Sequence, residues 1–166
     1  MKKIILIIFI GILAITLQSC GSYINLEKEQ KAIAEKILEC LDEDNVEELK
    51  GMFCERAIEE TDNIDRQIER AMEFFEGKTE SYDIDSSIGR AEERYYEEGK
   101  VVMLRTSGGI NDIITDQDKK YSITFYNYLV FDEEPTREGL SEITIYSEKG
   151  YSRVIGDFYL VNPEYK

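Results

Sequence analysis

The sequence predicts an α+β domain in which N-terminal helices pack on a curved antiparallel β-sheet. Two observations predict it. Apolar residues recur at the helical period between Glu27 and Gly77, and from Lys78 onward the pattern changes to the alternation of strands. Helices first and strands afterwards, without interleaving, is the α+β order. A chain of 166 residues suffices for one such domain with a substantial core.

The elements run in this order. Glu27 to Asp44 reads as a helix, because Ile33, Ile37, Cys40 and Leu41 form one apolar stripe among Lys and Glu. Val46 to Phe53 reads as a short second helix with Val46, Leu49 and Phe53 on one side. A third is expected to start at Asp62 as N-cap and to stop at Gly77, carrying Ile64, Ile68, Ala71, Met72 and Phe75 on its buried face. Tyr82 to Tyr96 is extended and polar, with Gly89 as a bulge. Glu98-Gly99 turns the chain into a strand at Val101–Arg105, and Ser107-Gly108-Gly109 is expected to break or kink it before Ile113-Ile114. Thr115–Lys119 is a hairpin-like turn. Tyr121 to Phe131 is the strongest strand. Its alternation sends Tyr121, Ile123, Phe125, Asn127, Leu129 and Phe131 inward, and Thr124, Tyr126, Tyr128 and Val130 outward. A loop at Glu133–Arg137 leads to a strand at Leu140–Tyr146, and Val154 to Val161 is expected to be the last strand.

The N-terminus carries a different kind of signal. Met1-Lys2-Lys3 is positive, and Ile4 to Leu17 is almost wholly apolar, which is signal-peptide length and short of a membrane span. An uncleaved signal anchor is the competing reading, since no charge occurs from Ile4 to Leu26. Either way the positive-inside rule exports the chain beyond the apolar run. Leu17-Gln18-Ser19-Cys20 resembles the lipobox of bacterial lipoproteins, with Gln18 where a small residue is commoner. That resemblance implies residues 1–19 as a lipoprotein signal peptide and a diacylglyceryl group on Cys20. Two acyl chains give stable anchoring where one is marginal. Residues 20–26 then form a lipidated tether of at most about 20 Å, and residues 27–166 the domain. The expected address is the cell membrane, lipid-anchored and facing outside the cytoplasm.

Charge and composition exclude several chemistries. There are 20 Lys+Arg against 35 Asp+Glu, and loss of Lys2 and Lys3 takes the formal net charge from −15 to −17. A surface of that sign repels phosphate backbones, so nucleic acid is not expected as a partner. With no His, the commonest general base and metal ligand are missing, and Ser-His-Asp and Cys-His catalysis are excluded. Asp42-Glu43-Asp44 and Asp116-Gln117-Asp118 lack the central Gly and terminal Glu of a calcium loop, so no metal and no cofactor is expected. Cys40 and Cys54, with 13 residues between them, have two readings: a disulfide permitted by export, or thiols buried in the core.

The order of a long helix, "DNVEELKGMFCERA" and a further helix resembles the nuclear transport factor 2-like, or cystatin-like, cone. With "GKTESYDID" and "TDQDKKYSITFYNY", the arrangement is also similar to small lipoproteins of unknown function from Gram-positive bacteria. The cone implies a pocket between sheet and helices. Asn127, interrupting an apolar strand face, and Tyr121 are its candidate lining; a structurally satisfied amide is the alternative for Asn127. No catalytic residue of the cone-fold enzymes maps onto this chain. The expected function is therefore a membrane-anchored, non-enzymatic domain that binds a protein partner or small ligand. A cone-fold enzyme using carboxylate and Tyr, and a homodimer formed through Tyr126 and Tyr128, are the alternatives.

Overall fold

The structure, a computed structural model, describes residues 25–84 and 93–161. The apolar segment, the lipobox and Cys20 lie outside the described residues, as does Gly89. Four helices precede an open sheet of six strands, all antiparallel, so the architecture is α+β as expected.

Helix α1 spans Leu26–Asp42. Asn25 caps it, its Oδ1 accepting from the Lys28 N–H at 3.2 Å, and Glu27 and Glu29 in the first turn face the positive end of the helix dipole. Its N-terminal boundary therefore lies one residue earlier than expected. Ala34, Ile37, Leu38, Cys40 and Leu41 are buried. Asp44, at φ 53°, ends the turn, and Asn45 caps α2 (Val46–Gly51) through Glu48 N–H. Helix α3 (Glu55–Glu60) was not legible, because it buries only Ala57 and so shows no apolar stripe; the Cys54 sulfur caps it at 3.4 Å from Ala57 N. Helix α4 is Ile64–Phe74, shorter at both ends than Asp62 to Gly77. Its buried face, Ile64, Ile68, Ala71 and Met72, is the stripe read from the sequence; each fully buried Ile there contributes about 1.5–3 kcal/mol.

The strands are β1 (Thr79–Ile84), β2 (Glu93–Glu97), β3 (Lys100–Thr115), β4 (Lys120–Phe131), β5 (Gly139–Ser147) and β6 (Ser152–Gly156). The path runs β1-β3-β4-β5-β6, with β2 also paired to β3. Three expectations are corrected. First, β3 is continuous through Gly108-Gly109. Gly108 is the ladder partner of Phe125, and a Cβ on it would stand 2.1 Å from Phe125 Cζ, so the glycine makes room for a ring rather than breaking the strand. The irregularity comes later, between Ile110 and Ile113, where Asp112 has φ 48°. Second, β4 alternates as read only as far as Asn127. There the register slips: Arg105 pairs with Tyr128 and Leu104 with Val130, leaving Leu129 as the extra residue of a bulge. Tyr128 is therefore buried at 2% exposure instead of facing outward, and Leu129 is only half-buried. Third, the last strand stops at Gly156, and Phe158–Val161 forms a short helix, α5, instead of continuing to Val161 as strand. Gly156 has φ 83°, and a Cβ there would meet the Ser141 carbonyl oxygen at 2.2 Å, so no other residue fits without moving backbone.

Helix α1 lies along β3 in a fixed direction. Near its start, Gln30 Nε2 donates to the Ser107 carbonyl at 2.9 Å; at its end, Asp42 Oδ1 accepts from both Thr79 N and Oγ1 at 2.8 and 2.9 Å. Its seventeen residues span about 25 Å. The α1 N-terminus thus points away from the end of the sheet that carries the β3–β4 and β5–β6 turns.

Candidate functional site

At that turn end lies a groove of about 730 Å³, between the last turns of α4, the β3–β4 turn and the β5–β6 hairpin. Arg70, Lys119, Lys120, Lys149 and Arg153 line it, against the carboxylates Glu73, Glu76 and Glu148. A chain with a net charge of −15 thus presents a groove in which cations outnumber anions. Lys119 pairs with Glu76 at 3.0 Å, and the Arg153 guanidinium lies 4.8 Å from the centre of the Phe74 ring. Arg70, Lys120 and Lys149 form no ion pair among the described residues, so their charge is available to an incoming group.

Tyr121 lines this groove as a fixed post; the pocket expected for it lay between sheet and helices, with Asn127. Its hydroxyl donates to the Phe74 carbonyl and accepts from the Glu76 N–H, both at 3.0 Å, and its ring contacts Phe74 and Phe75 at 5.8 and 4.7 Å. A carbonyl at the C-terminal end of α4, which has no helical partner, is satisfied in this way. Tyr121→Phe is expected to cost about 1–3 kcal/mol in urea denaturation, because two part-buried hydrogen bonds vanish together. An unchanged midpoint would show that the post is dispensable.

Asn127 does not belong to the groove. It is 1% exposed, opposite Thr106, whose Oγ1 donates to its Oδ1 at 2.8 Å, while its Nδ2 finds no partner among the described residues. Cys40 and Cys54 are both buried free thiols, so the disulfide reading gives way to the core reading. Cys40 faces inward from α1, and the Cys54 sulfur is engaged in capping α3. Burial pushes the Cys40 thiol up to about 11 and raises that of Cys54, so both stay protonated at neutral pH. Of the two tyrosines read as an outer surface, Tyr126 is half-buried against Phe158, with ring centres 4.7 Å apart, and Tyr128 is enclosed.

A second polar cluster, unforeseen, occupies the opposite end of the sheet. Arg137, in the turn Pro135–Arg137, is 3% exposed. Its Nε donates to Glu134 Oε2 at 2.6 Å, and Glu134 Oε1 takes Arg56 Nη1 of α3 at 2.5 Å. Arg56 also reaches Glu60 at 2.5 Å. Nearby, Glu93 of β2 pairs with Arg105 of β3, and the Arg105 guanidinium stacks 5.2 Å from the Phe158 ring centre. Nothing in the linear pattern marks this cluster, because alternating charges in a polar loop and an edge strand are indistinguishable from solvated ones.

Among the described residues no helix is long and apolar enough to cross a membrane, and no group of three or more acidic or Cys side chains has the arrangement of a metal site. No curated protein matches the sequence. A family model does, over residues 36–148: the chain belongs to the family described as a domain of unknown function, DUF5104. The matched span runs from the middle of α1 to the β5–β6 turn and so includes most of both polar sites.

Proposed function

We propose that this DUF5104 domain is a membrane-tethered, non-enzymatic binding module that works outside the cytoplasm. Its anchor is a diacylglyceryl group on Cys20, and its groove at the β3–β4 and β5–β6 turns takes a protein partner or small ligand. The observation that carries the binding half is the concentration of cations in one groove of an acidic chain. The observation that carries the tether half is Leu17-Gln18-Ser19-Cys20 after an apolar run. The two fit together in space. The tether joins α1 at Asn25, about 25 Å of helix from the turn end, so an anchored domain holds its groove away from the bilayer. The nuclear transport factor 2-like reading of the fold is part of this proposal, supported by the helices-then-sheet order and the long α1 laid along β3.

The Tyr121 hydroxyl, committed to two backbone groups, favours binding over proton transfer in the groove, and a chain without His offers no imidazole to replace it. Lysine labelling with a membrane-impermeant amine reagent tests the proposal. On intact cells, Lys28 and Lys31 on the open side of α1 are expected to label as in the purified chain. Lys120 and Lys149 are expected to be protected relative to the purified chain. No labelling of Lys31 contradicts the external location; equal labelling of groove and helix lysines contradicts occupancy of the groove.

A further inference from the structure

The walls of the groove are fixed by contacts that use none of its cationic side chains. On one side, Thr115 Oγ1 donates to the Glu76 carbonyl at 2.8 Å. Asp116 Oδ1 accepts from the Lys78 N–H at 2.8 Å, and the Asp116 N–H donates to the Lys78 carbonyl at 2.9 Å. The β3–β4 turn is thereby clasped to the chain leaving α4. On the other side, the Glu148 N–H donates to the Lys120 carbonyl at 3.1 Å, which ties the β5–β6 turn to the start of β4. A site built this way loses little freedom when it is filled. With Lys119 matched by Glu76, the groove retains Arg70, Lys120, Lys149 and Arg153 against Glu73 and Glu148, a balance of +2. Arg153 gives one donor to the Ser152 carbonyl at 2.8 Å and rests on Phe74, which leaves other donors of its guanidinium free to turn to a ligand.

That balance sets the charge of the ligand. One carboxylate would leave half of it unmatched, whereas a phosphate monoester carries about −1.5 to −2 at neutral pH on three acceptor oxygens. The four cations stand on different elements: Arg70 on α4, Lys120 on β4, Lys149 in the β5–β6 turn and Arg153 on β6. They therefore meet an incoming group from more than one side. About 730 Å³ is a small-molecule volume, roughly 300–1,000 Å³ being usual, and it holds more than a bare anion. Tyr151, 66% exposed at the groove, offers a ring face to the rest of such a molecule. An acidic protein segment fits less well, because beyond the groove it would run onto a chain of net charge −15. Resting on the reading of the groove as the binding surface, we propose that its ligand is a small molecule with a dianionic oxyanion head, a phosphate monoester or a pair of carboxylates.

The test is the labelling rate of single lysines in the detergent-extracted full chain, titrated with inorganic phosphate, succinate and acetate at constant ionic strength set with chloride. Lys120 and Lys149 are expected to lose reactivity saturably, by about threefold or more, with phosphate or with succinate. Whichever protects at the lower concentration distinguishes the phosphate head from the paired carboxylates. Acetate is expected to need about tenfold more, and Lys28 and Lys31 on α1 are expected to respond to none of the three. Arg70→Gln with Lys149→Gln removes two exposed cations that have no ion pair among the described residues, so the fold is expected to persist by circular dichroism. This variant should raise the concentration that half-protects Lys120 by about fivefold or more, while Lys28→Gln with Lys31→Gln leaves it unchanged. The dianionic head is overturned if neither phosphate nor succinate protects, if acetate protects equally, or if poly-glutamate alone protects, which would give the groove to an acidic protein. The groove reading fails separately. Protection of Lys120 on intact cells without protection by either dianion keeps the groove and removes the dianion; protection by a dianion without protection on cells does the reverse.

Discussion

Gly108→Val is expected to be among the most damaging single substitutions in this domain. Phe125 is 1% exposed and lies against the glycine so closely that even a Cβ would fall 2.1 Å from its Cζ. Real side chains do not approach so near, and the ring has no free side, because its strand neighbours Ile123 and Ile143 are themselves buried. Gly108→Ala should therefore cost about 2–3 kcal/mol by overpacking, and the valine more. For a domain of this size that corresponds to a fall in Tm of roughly 2–4 °C per kcal/mol. A double-mutant cycle isolates the cause. Shrinking the ring with Phe125→Leu should make Gly108→Ala less costly than it is alone, giving a coupling of about 1 kcal/mol or more. An alanine variant within about 0.5 kcal/mol of the parent, the range of an ordinary surface change, would mean that the ring does not rest on the glycine.

Glu134→Ala should have an effect of similar size for an electrostatic reason. Glu134 accepts from Arg137 with one oxygen and from Arg56 with the other. Arg137 is 3% exposed, so removing the carboxylate leaves a buried guanidinium without its counter-charge. Breaking a buried pair from one side costs about 3–5 kcal/mol; the partial exposure of Glu134 places this case near the lower figure. The pH dependence arises from the same contact. The Arg137 hydrogen bond, with Arg56 beside it, holds the Glu134 carboxyl below the usual carboxylate range. A depressed folded pKa contributes stability that is fully present above the unfolded value of about 4.3, and lost as pH falls through the folded one. Chemical denaturation from about pH 6 down to about pH 2.5 should show a loss of stability in the parent that is smaller in Glu134→Gln. Parallel curves would remove Glu134 from the acid limb.

The parts of the molecule that could be read from sequence are those governed by a period. The α4 stripe, the start of β4 and the core face of α1 each repeat often enough for the pattern to stand out, and each lies where the pattern put it. The burial of Tyr121 was legible for the same reason, as the first inward residue of β4. What failed was decided by single contacts across the sheet. A glycine pair normally weakens a strand, yet Gly108 is placed by Phe125, seventeen residues away. The register shifts that flank Tyr128, the bulge at Leu129 against β3 and the slip between Tyr126 and Asn127 against β5, leave no mark in the alternation, and Tyr128 ends in the interior. Groove and buried cluster were both invisible because their cations come from separate elements: Arg70 from α4, Lys149 from the β5–β6 turn, Arg137 from the turn after β4. A linear reading assigns each of them to solvent.

The tether is the premise on which the orientation of the groove rests, and mass spectrometry of the full chain extracted from membranes tests it most directly. A lipid-anchored chain gives an N-terminal fragment that begins at Cys20, carries a diacylglyceryl mass on that residue and lacks Met1 to Ser19, with Cys20→Ala blocking both changes. A chain that retains Met1, or a Cys20→Ala variant that matures and stays anchored, would contradict it.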